Sequence, residues 1–204
     1  MIVIIDYGIG NVGSIYNMIN KIGFKCIVSC DLKDIKRAKK IILPGVGSFD
    51  AAMEKINSIK DLKSTLTNCV IENKIPLLGV CLGMQLLTLG SEEGKLPGLG
   101  WIDANTKKFP KLEKLKVPHM GWNTVTTITN STLINKHYSD LRFYFVHSFY
   151  VTVNNKKFSA MKTEYGIEFD SAIEKENIFG VQFHPEKSHR YGMKLLKSFC
   201  QLKK

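Results

Sequence analysis

The segment Gly79-Val80-Cys81-Leu82-Gly83 sets a thiol between two glycines, at the end of the apolar run Pro76-Leu77-Leu78 and ahead of Met84, Leu86 and Leu87 at helix-like spacing. This order matches a nucleophile elbow, in which a strand turns sharply into a helix. Such a turn strains its central residue, and the flanking glycines leave room for it. A thiol held there projects from the sheet edge at a helix start, where the positive end of the helix favours thiolate over thiol. The peptide N–H of Leu82, next in the chain, points at the same place and can hold an oxyanion.

Cysteine is also among the most buried residue types, so the elbow taken alone fits a packed side chain as well as a nucleophile. The second motif changes the balance. In Phe179-Gly180-Val181-Gln182-Phe183-His184-Pro185-Glu186, a short apolar strand runs into a histidine with a carboxylate two residues later. Taken singly, His184 could be a satisfied surface histidine and Glu186 a helix first-turn acid. Together with Cys81 they supply a nucleophile, a base and a group to orient the base.

These residues must be carried by a chain of 204 residues, long enough for a single domain spanning 1–204 with a substantial core. Its 44% hydrophobic and 23% charged residues are those of a globular protein. The N-terminal run Ile2-Val3-Ile4-Ile5 is too short for a signal peptide or a membrane span, and no later stretch is long enough. Five cysteines without framework spacing suit a reducing cytoplasm. Cys26 and Cys30 alternate with Val28 as one strand face would, and no histidine lies near them, so no metal is expected. The net charge of +11 comes almost wholly from lysines scattered along the chain, with three arginines, Arg37, Arg142 and Arg190. Base readout leans on arginine forks and recognised modules, and neither is present, so a solvated lysine surface is expected rather than nucleic-acid binding.

The β-branched run 2–5 reads as a buried central strand. A glycine-rich turn follows, then a helix with Val12, Ile15, Ile19 and Ile22 on one face and Gly23 as its stop. Residues 24–30 read as a second strand and 40–43 as a third, the latter ending in Pro44-Gly45-Val46-Gly47. Residues 50–59 and 62–72 read as helices leading to the elbow strand. Alternating strand and helix to residue 90 is the signature of a parallel doubly wound sheet. Beyond it, residues 101–109, 116–128, 142–153, 158–165 and 167–174 read as short strands without intervening helices, hence antiparallel additions. The strand before His184 then rejoins the main sheet. Ser188 reads as the cap of a last helix with Tyr191, Leu195, Phe199 and Leu202 on one face and Lys194, Lys197 and Lys203 on the solvated side.

One rival reading comes from the same N-terminal segment. Gly8-Ile9-Gly10-Asn11-Val12-Gly13 follows a strand and opens a helix, with Asp31 after the next strand, which is the dinucleotide-binding fingerprint. That reading leaves the Cys81 and His184 motifs without work.

Over its whole length the chain resembles the class I glutamine amidotransferases, and among them the glutaminase subunits of imidazole glycerol phosphate synthases. The matching segments are Ile5-Asp6-Tyr7-Gly8-Ile9-Gly10-Asn11, Leu43-Pro44-Gly45-Val46-Gly47-Ser48-Phe49, the elbow, Pro118-His119-Met120-Gly121-Trp122-Asn123, Tyr144-Phe145-Val146-His147-Ser148 and His184-Pro185-Glu186-Lys187-Ser188. The resemblance implies a flavodoxin-like α/β domain with a mostly parallel central sheet, flanking helices and antiparallel additions in the second half. It implies hydrolysis of glutamine by a Cys81–His184–Glu186 triad, without cofactor or metal. The Val46 N–H becomes the second oxyanion donor beside Leu82. Gly47, Gln85 and Glu93, with the backbone of Ser148 and Phe149, surround the glutamine. Ser148 and Phe149 depart from the commoner pair at those positions, which backbone contacts tolerate.

The resemblance also implies a (β/α)8-barrel cyclase partner that takes the ammonia to make imidazole glycerol phosphate and AICAR in histidine synthesis. Asn11, Met120, Trp122, Tyr144 and Lys187 would lie on the docking face, although Trp122 and Tyr144 would otherwise read as core aromatics. A related destination is amidination of a sugar in bacterial surface-polysaccharide synthesis, which residues 11–15 and 187–193 also resemble.

Overall fold

The computed structural model describes residues 1–111, 113, 115–129, 131–134 and 140–202. Five parallel strands form its centre, in the order β2 (Cys26–Ser29), β1 (Ile2–Ile5), β3 (Lys40–Gly45), β4 (Leu77–Cys81) and β12 (Ile178–Val181). Successive side chains in a strand point to opposite faces, and the apolar runs feed two cores accordingly. Val3, Ile5, Ile41, Leu43 and Leu77 pack on one side with Phe49, Ala52, Met53 and Ile56 of α3 (Phe49–Ser58) and Leu62 and Leu66 of α4 (Leu62–Thr67). Ile2, Ile4, Ile42, Leu78 and Val80 pack on the other with Ile15 and Ile19 of α1 (Val12–Lys21) and Leu195, Leu196 and Phe199 of α6 (His189–Gln201). A sheet covered on both faces is why these strands read as unbroken apolar runs rather than alternating ones.

The second half extends the sheet antiparallel from β12 through β11 (Glu168–Lys175), β10 (Ser159–Glu164) and β7 (Thr126–Thr127), while β9 (Phe149–Val153) pairs β11 and β5 (Ala104–Lys108). A separate two-stranded ladder joins β6 (His119–Thr124) to β8 (Arg142–His147). The parallel-then-antiparallel division expected from the sequence is the observed one.

Several local expectations change. The second strand is shorter than 24–30, and a helix α2 (Leu32–Lys36), capped by Asp31, follows it unannounced. Cys26 joins the core beneath α1 and α6, whereas Cys30 lies beyond the strand end against the opposite core, so the two do not share a face. β12 stops at Val181, three residues short of His184, which lies in extended backbone with its N–H on the Tyr144 carbonyl at 2.8 Å. Ser188 stands at the start of α6 but does not cap it: its hydroxyl donates to the His184 carbonyl (2.6 Å) and accepts the Tyr144 N–H (3.0 Å). It therefore fixes the histidine loop onto β8. Lys194 and Lys197 lie on the exposed side of α6, and Lys203 is outside the described residues.

Candidate active site

Cys81 closes β4 at φ 56° and ψ −111°, a conformation that costs a residue with a Cβ energy and is kept only where its surroundings impose it. The surroundings are two close backbone crossings. A Cβ on Gly79 would come within 2.6 Å of the Gly83 carbonyl, and one on Gly83 within 1.9 Å of the Leu43 carbonyl. Both glycines are thus needed for the strand, the turn and β3 to pack as they do. The helix that follows, α5 (Leu82–Leu86), has only five residues. Its dipole is correspondingly small, so the charge partner of the thiol has to come from elsewhere.

That partner is His184. The sulfur, the imidazole and the Glu186 segment all converge on one open cavity of about 320 Å³. Its walls include Val46, Gly47, Cys81, Leu82, Gln85, Glu93, Ser148, Phe149, His184 and Lys187, so every proposed catalytic, oxyanion and substrate residue but Glu186 faces the same space. Glu186 stands behind: its Oε1 accepts the His184 Nδ1–H at 2.7 Å, and the two side chains are 1% and 3% exposed. The His184 Nε2, turned the other way, makes no hydrogen bond. Burial pulls the imidazolium down, but the Cys81 sulfur and the Glu186 carboxylate together pull it up further, to about 10. Because Nε2 lacks a formed hydrogen bond, we read the pull of Cys81 as that of a neighbouring charge. The arrangement holds an imidazolium beside the Cys81 sulfur, with a carboxylate fixing the ring.

The loop opposite the nucleophile is pinned at both ends. Gly45 pairs with Cys81 in the β3–β4 ladder, so the loop leaves the sheet beside the thiol. On its near side the buried Tyr7 hydroxyl donates to the Pro44 carbonyl at 2.8 Å, and burial followed by the charge of Cys81 pushes this phenol up, keeping it a donor. On the far side Glu93 Oε2 accepts the N–H of Phe49, first residue of α3, at 2.9 Å. Between these anchors Val46 is 42% exposed and Gly47 has φ 96° with open space around it.

A feature unread in the sequence lies on the other wall. His147 Nδ1 donates to the Phe149 carbonyl (2.7 Å), which leaves its Nε2 to accept from His119 Nδ1 (2.9 Å); His119 Nε2 then accepts from Asn123 Nδ2 (3.2 Å). Burial drives His119 down to about 4. Burial is also the main cause at His147, and the neighbouring His119 and His184 add to it, taking that group to about 3. Both rings are neutral, as the donor–acceptor order of the chain demands. The same Phe149 carbonyl accepts from Gln85 Nε2 at 3.1 Å.

On β6, Met120 and Trp122 point outward and are 61% and 46% exposed, against the core reading of Trp122. Tyr144 meets Trp122 edge-on at 6.3 Å, and Lys187 Nζ lies 5.8 Å over the Tyr144 ring. His189 stacks on the outer side of this group against Trp122, at 5.6 Å and 12°. Asn11 stands at the start of α1 next to Gly10, whose φ of 152° lets it lie against Pro44.

The dinucleotide reading finds no support in this geometry. A Cβ at Gly13 would meet nothing within 4 Å, so the third glycine permits no close packing. The second glycine is covered by Pro44, and Asp31 is engaged by the Lys33 N–H at 2.7 Å. Among the described residues no group of three or more histidines, cysteines or acids could hold a metal.

Comparison with known proteins fits the site. Residues 3–202 match the family model described as glutamine amidotransferase class-I. Two similar relatives are both called imidazole glycerol phosphate synthase subunit HisH 2. One, from Methanococcus maripaludis, is 55% identical over 98% of this chain and 99% of its own length. The other, from Pseudomonas aeruginosa, is 46% identical over 99% and 100%. Among solved structures, one described as a glutamine amidotransferase superposes with a TM-score of 0.76 at 13% identity, over 98% of this chain and 97% of that one. The glutaminase domain of CTPS from Trypanosoma brucei gives 0.65 at 16% identity over 100% and 94%, and at such identities both speak to the fold alone.

Proposed function

The chain belongs to the class I glutamine amidotransferases, in the family of HisH subunits of imidazole glycerol phosphate synthase, and from that premise we propose how its own residues perform the chemistry. The Cys81 thiolate attacks the side-chain carboxamide of glutamine: a C–S bond forms and the carbonyl electron pair moves to oxygen, where the N–H groups of Leu82 and Val46 receive it. The His184 imidazolium gives its proton to the amide nitrogen, which leaves as ammonia, and a thioester remains. Neutral His184 then takes a proton from water, hydroxide adds, and glutamate departs as the thiolate re-forms. Glu186 keeps the ring oriented through both halves.

Glu93 and Gln85 are assigned to the substrate α-ammonium. Gln85 spends its N–H groups on the Phe149 carbonyl and on Gln182 Oε1, so its own carbonyl is the atom left to accept. Gly47 and the backbone of Ser148 and Phe149 are assigned to the rest of the glutamine.

We place the ammonia acceptor, a (β/α)8-barrel cyclase subunit, on the Met120, Trp122, Tyr144 and Lys187 face beside the cavity, with Asn11 at its margin. The product would be imidazole glycerol phosphate in histidine synthesis. Amidination of a surface polysaccharide sugar is the less favoured destination, since both relatives described above carry the synthase name. A cytoplasmic setting suits a chain whose five cysteines are all free and whose nucleophile must stay reduced; among the described residues no helix is long and apolar enough to cross a membrane.

The observation that carries the proposal is a strained Cys81 facing a buried His184–Glu186 pair in one cavity. Its test is Cys81→Ala with glutamine as substrate. Loss of glutamate formation in a folded protein is expected, and retention of more than about a tenth of the activity would overturn the assignment.

A further inference from the structure

Gln182 is fully buried and stands one residue beyond β12, two before His184. Its Nε2 lies 3.8 Å from the Cys81 sulfur, and its Oε1 lies 3.1 Å from Gln85 Nε2. An amide's two ends are hard to tell apart by position alone, but here the neighbours decide. The Phe149 carbonyl can only accept, so the Gln85 atom 3.1 Å away must be its nitrogen. The atom of Gln182 facing that nitrogen must then be an acceptor, its oxygen. What remains for the sulfur is an N–H. A backbone carbonyl of the substrate wall thus fixes, through two amides, the polarity of the group touching the nucleophile.

The sulfur has a second neighbour, the Val146 carbonyl at 3.9 Å, which can accept only from the protonated thiol. The two contacts distinguish the two forms of Cys81: Val146 suits the thiol and Gln182 suits the thiolate.

We propose that Gln182 is a catalytic residue with two separable functions, its N–H holding the Cys81 sulfur as thiolate and its carbonyl oxygen holding Gln85 in the orientation that receives substrate. The first acts before attack and again when the thioester breaks and the sulfur leaves as thiolate; the second acts in binding. The proposal rests on the triad reading above.

Two substitutions separate the functions. Gln182→Glu keeps an acceptor for Gln85 but exchanges the amide N–H for a carboxylate beside the sulfur; Gln182→Met has similar length and removes both amide ends without adding charge. Turnover of glutamine would be measured with the full chain and its barrel subunit. Alkylation of Cys81 by iodoacetamide would be followed against pH by peptide mass, with thermal melting to verify the fold. For Gln182→Glu, the lost N–H and the added carboxylate should together move the alkylation profile to higher pH and lower kcat by at least about tenfold, the scale of one lost hydrogen bond to a charged group, while KM stays near wild type. For Gln182→Met, KM should rise as well. A wild-type alkylation profile in Gln182→Met, which adds no charge, overturns the sulfur function, and an unchanged KM in a folded Gln182→Met overturns the orienting function. Cys81→Ala is run beside them. If that variant still hydrolyses glutamine, the triad reading itself has failed, whereas if it is dead and both Gln182 variants behave as wild type, only this proposal has.

Discussion

Replacing Glu186 by glutamine removes one charge from a pair that is almost wholly out of water and leaves the shape of the side chain intact. The magnitude follows from the contact. Glu186 Oε2 has no hydrogen-bond partner, so its hold on the ring runs through the single 2.7 Å bond from His184 Nδ1 to Oε1. A hydrogen bond to a charged group is worth about 1.5–3 kcal/mol and a neutral one about 1. If the glutamine keeps its carbonyl toward Nδ1, the difference of about 0.5–2 kcal/mol corresponds to a fall of about two- to thirtyfold in kcat/KM for glutamine. A serine triad whose aspartate becomes asparagine loses about 10⁴ in kcat, because the imidazole is then held in the wrong tautomer. A thiol beside an imidazolium is already ionised far more readily, so the smaller figure is expected here.

The same change removes one of the two groups that raise His184, so the alkaline limb of the pH–rate profile should move down from about 10 by about one unit. The assay is glutamate formation at several glutamine concentrations between pH 6.5 and 10.5, with the barrel subunit present. A loss as deep as that of Cys81→Ala would mean that Glu186 carries a proton itself. An unmoved alkaline limb would mean that the buried pair does not set the charge of His184.

Gly83→Ala drives a methyl group to 1.9 Å from the Leu43 carbonyl and should cost more than about 3 kcal/mol; a urea midpoint within about 0.5 kcal/mol of wild type would refute the close crossing. His119 and His147, held neutral down to about 4 and 3, should make the protein less stable as pH falls from 6.5 toward 4. There the unfolded chain binds protons that the folded one refuses, at up to about 1.4 kcal/mol per pH unit for each ring. His184 has the opposite sign and acts between pH 6.5 and about 10, so it does not mask this window. Urea midpoints at pH 7.5, 6 and 5 test the pair, the slope disappearing in the double glutamine variant, and a flat wild-type response counts against it. The isolated chain should be a poor glutaminase, because Val46 lies on an exposed loop between two glycines and needs a partner to order it. Full turnover without the barrel subunit and its acceptor would end that idea.

What could be read in the sequence was what depends on local pattern. The elbow was legible because Gly79 and Gly83 are required by crossings within a few residues and by one neighbouring strand, and the β-branched runs announced strands buried on both faces. The triad was legible because the two residues after His184 carry its partner. Gln182 stands inside the same quoted motif, yet nothing in its neighbours shows that its amide meets Cys81, which lies 101 residues away in the chain. The His119–His147 contact needs the β6–β8 ladder to bring two segments together, and Tyr7 reaches Pro44 only because β1 and β3 are adjacent in the sheet. Ser188 misled for a related reason: its residue type suits a helix cap, and tertiary contacts with His184 and Tyr144 claimed its hydroxyl instead. The alternation of Cys26, Val28 and Cys30 suggests one face, but the strand ends at Ser29, one residue short of Cys30, which turns to the opposite core.

The central claim is that ammonia freed at Cys81 is what the acceptor subunit consumes. The direct measurement supplies the chain and its partner synthase subunit with the phosphorylated imidazole precursor, glutamine labelled with ¹⁵N in the side-chain amide, and unlabelled ammonium in the buffer, and reads the mass of the imidazole glycerol phosphate formed. The wild-type pair should deliver labelled nitrogen into nearly all of the product, while the Cys81→Ala pair should form only unlabelled product, drawn from the buffer. Labelled product from Cys81→Ala, or product from the wild-type pair that carries only buffer nitrogen, would contradict the account.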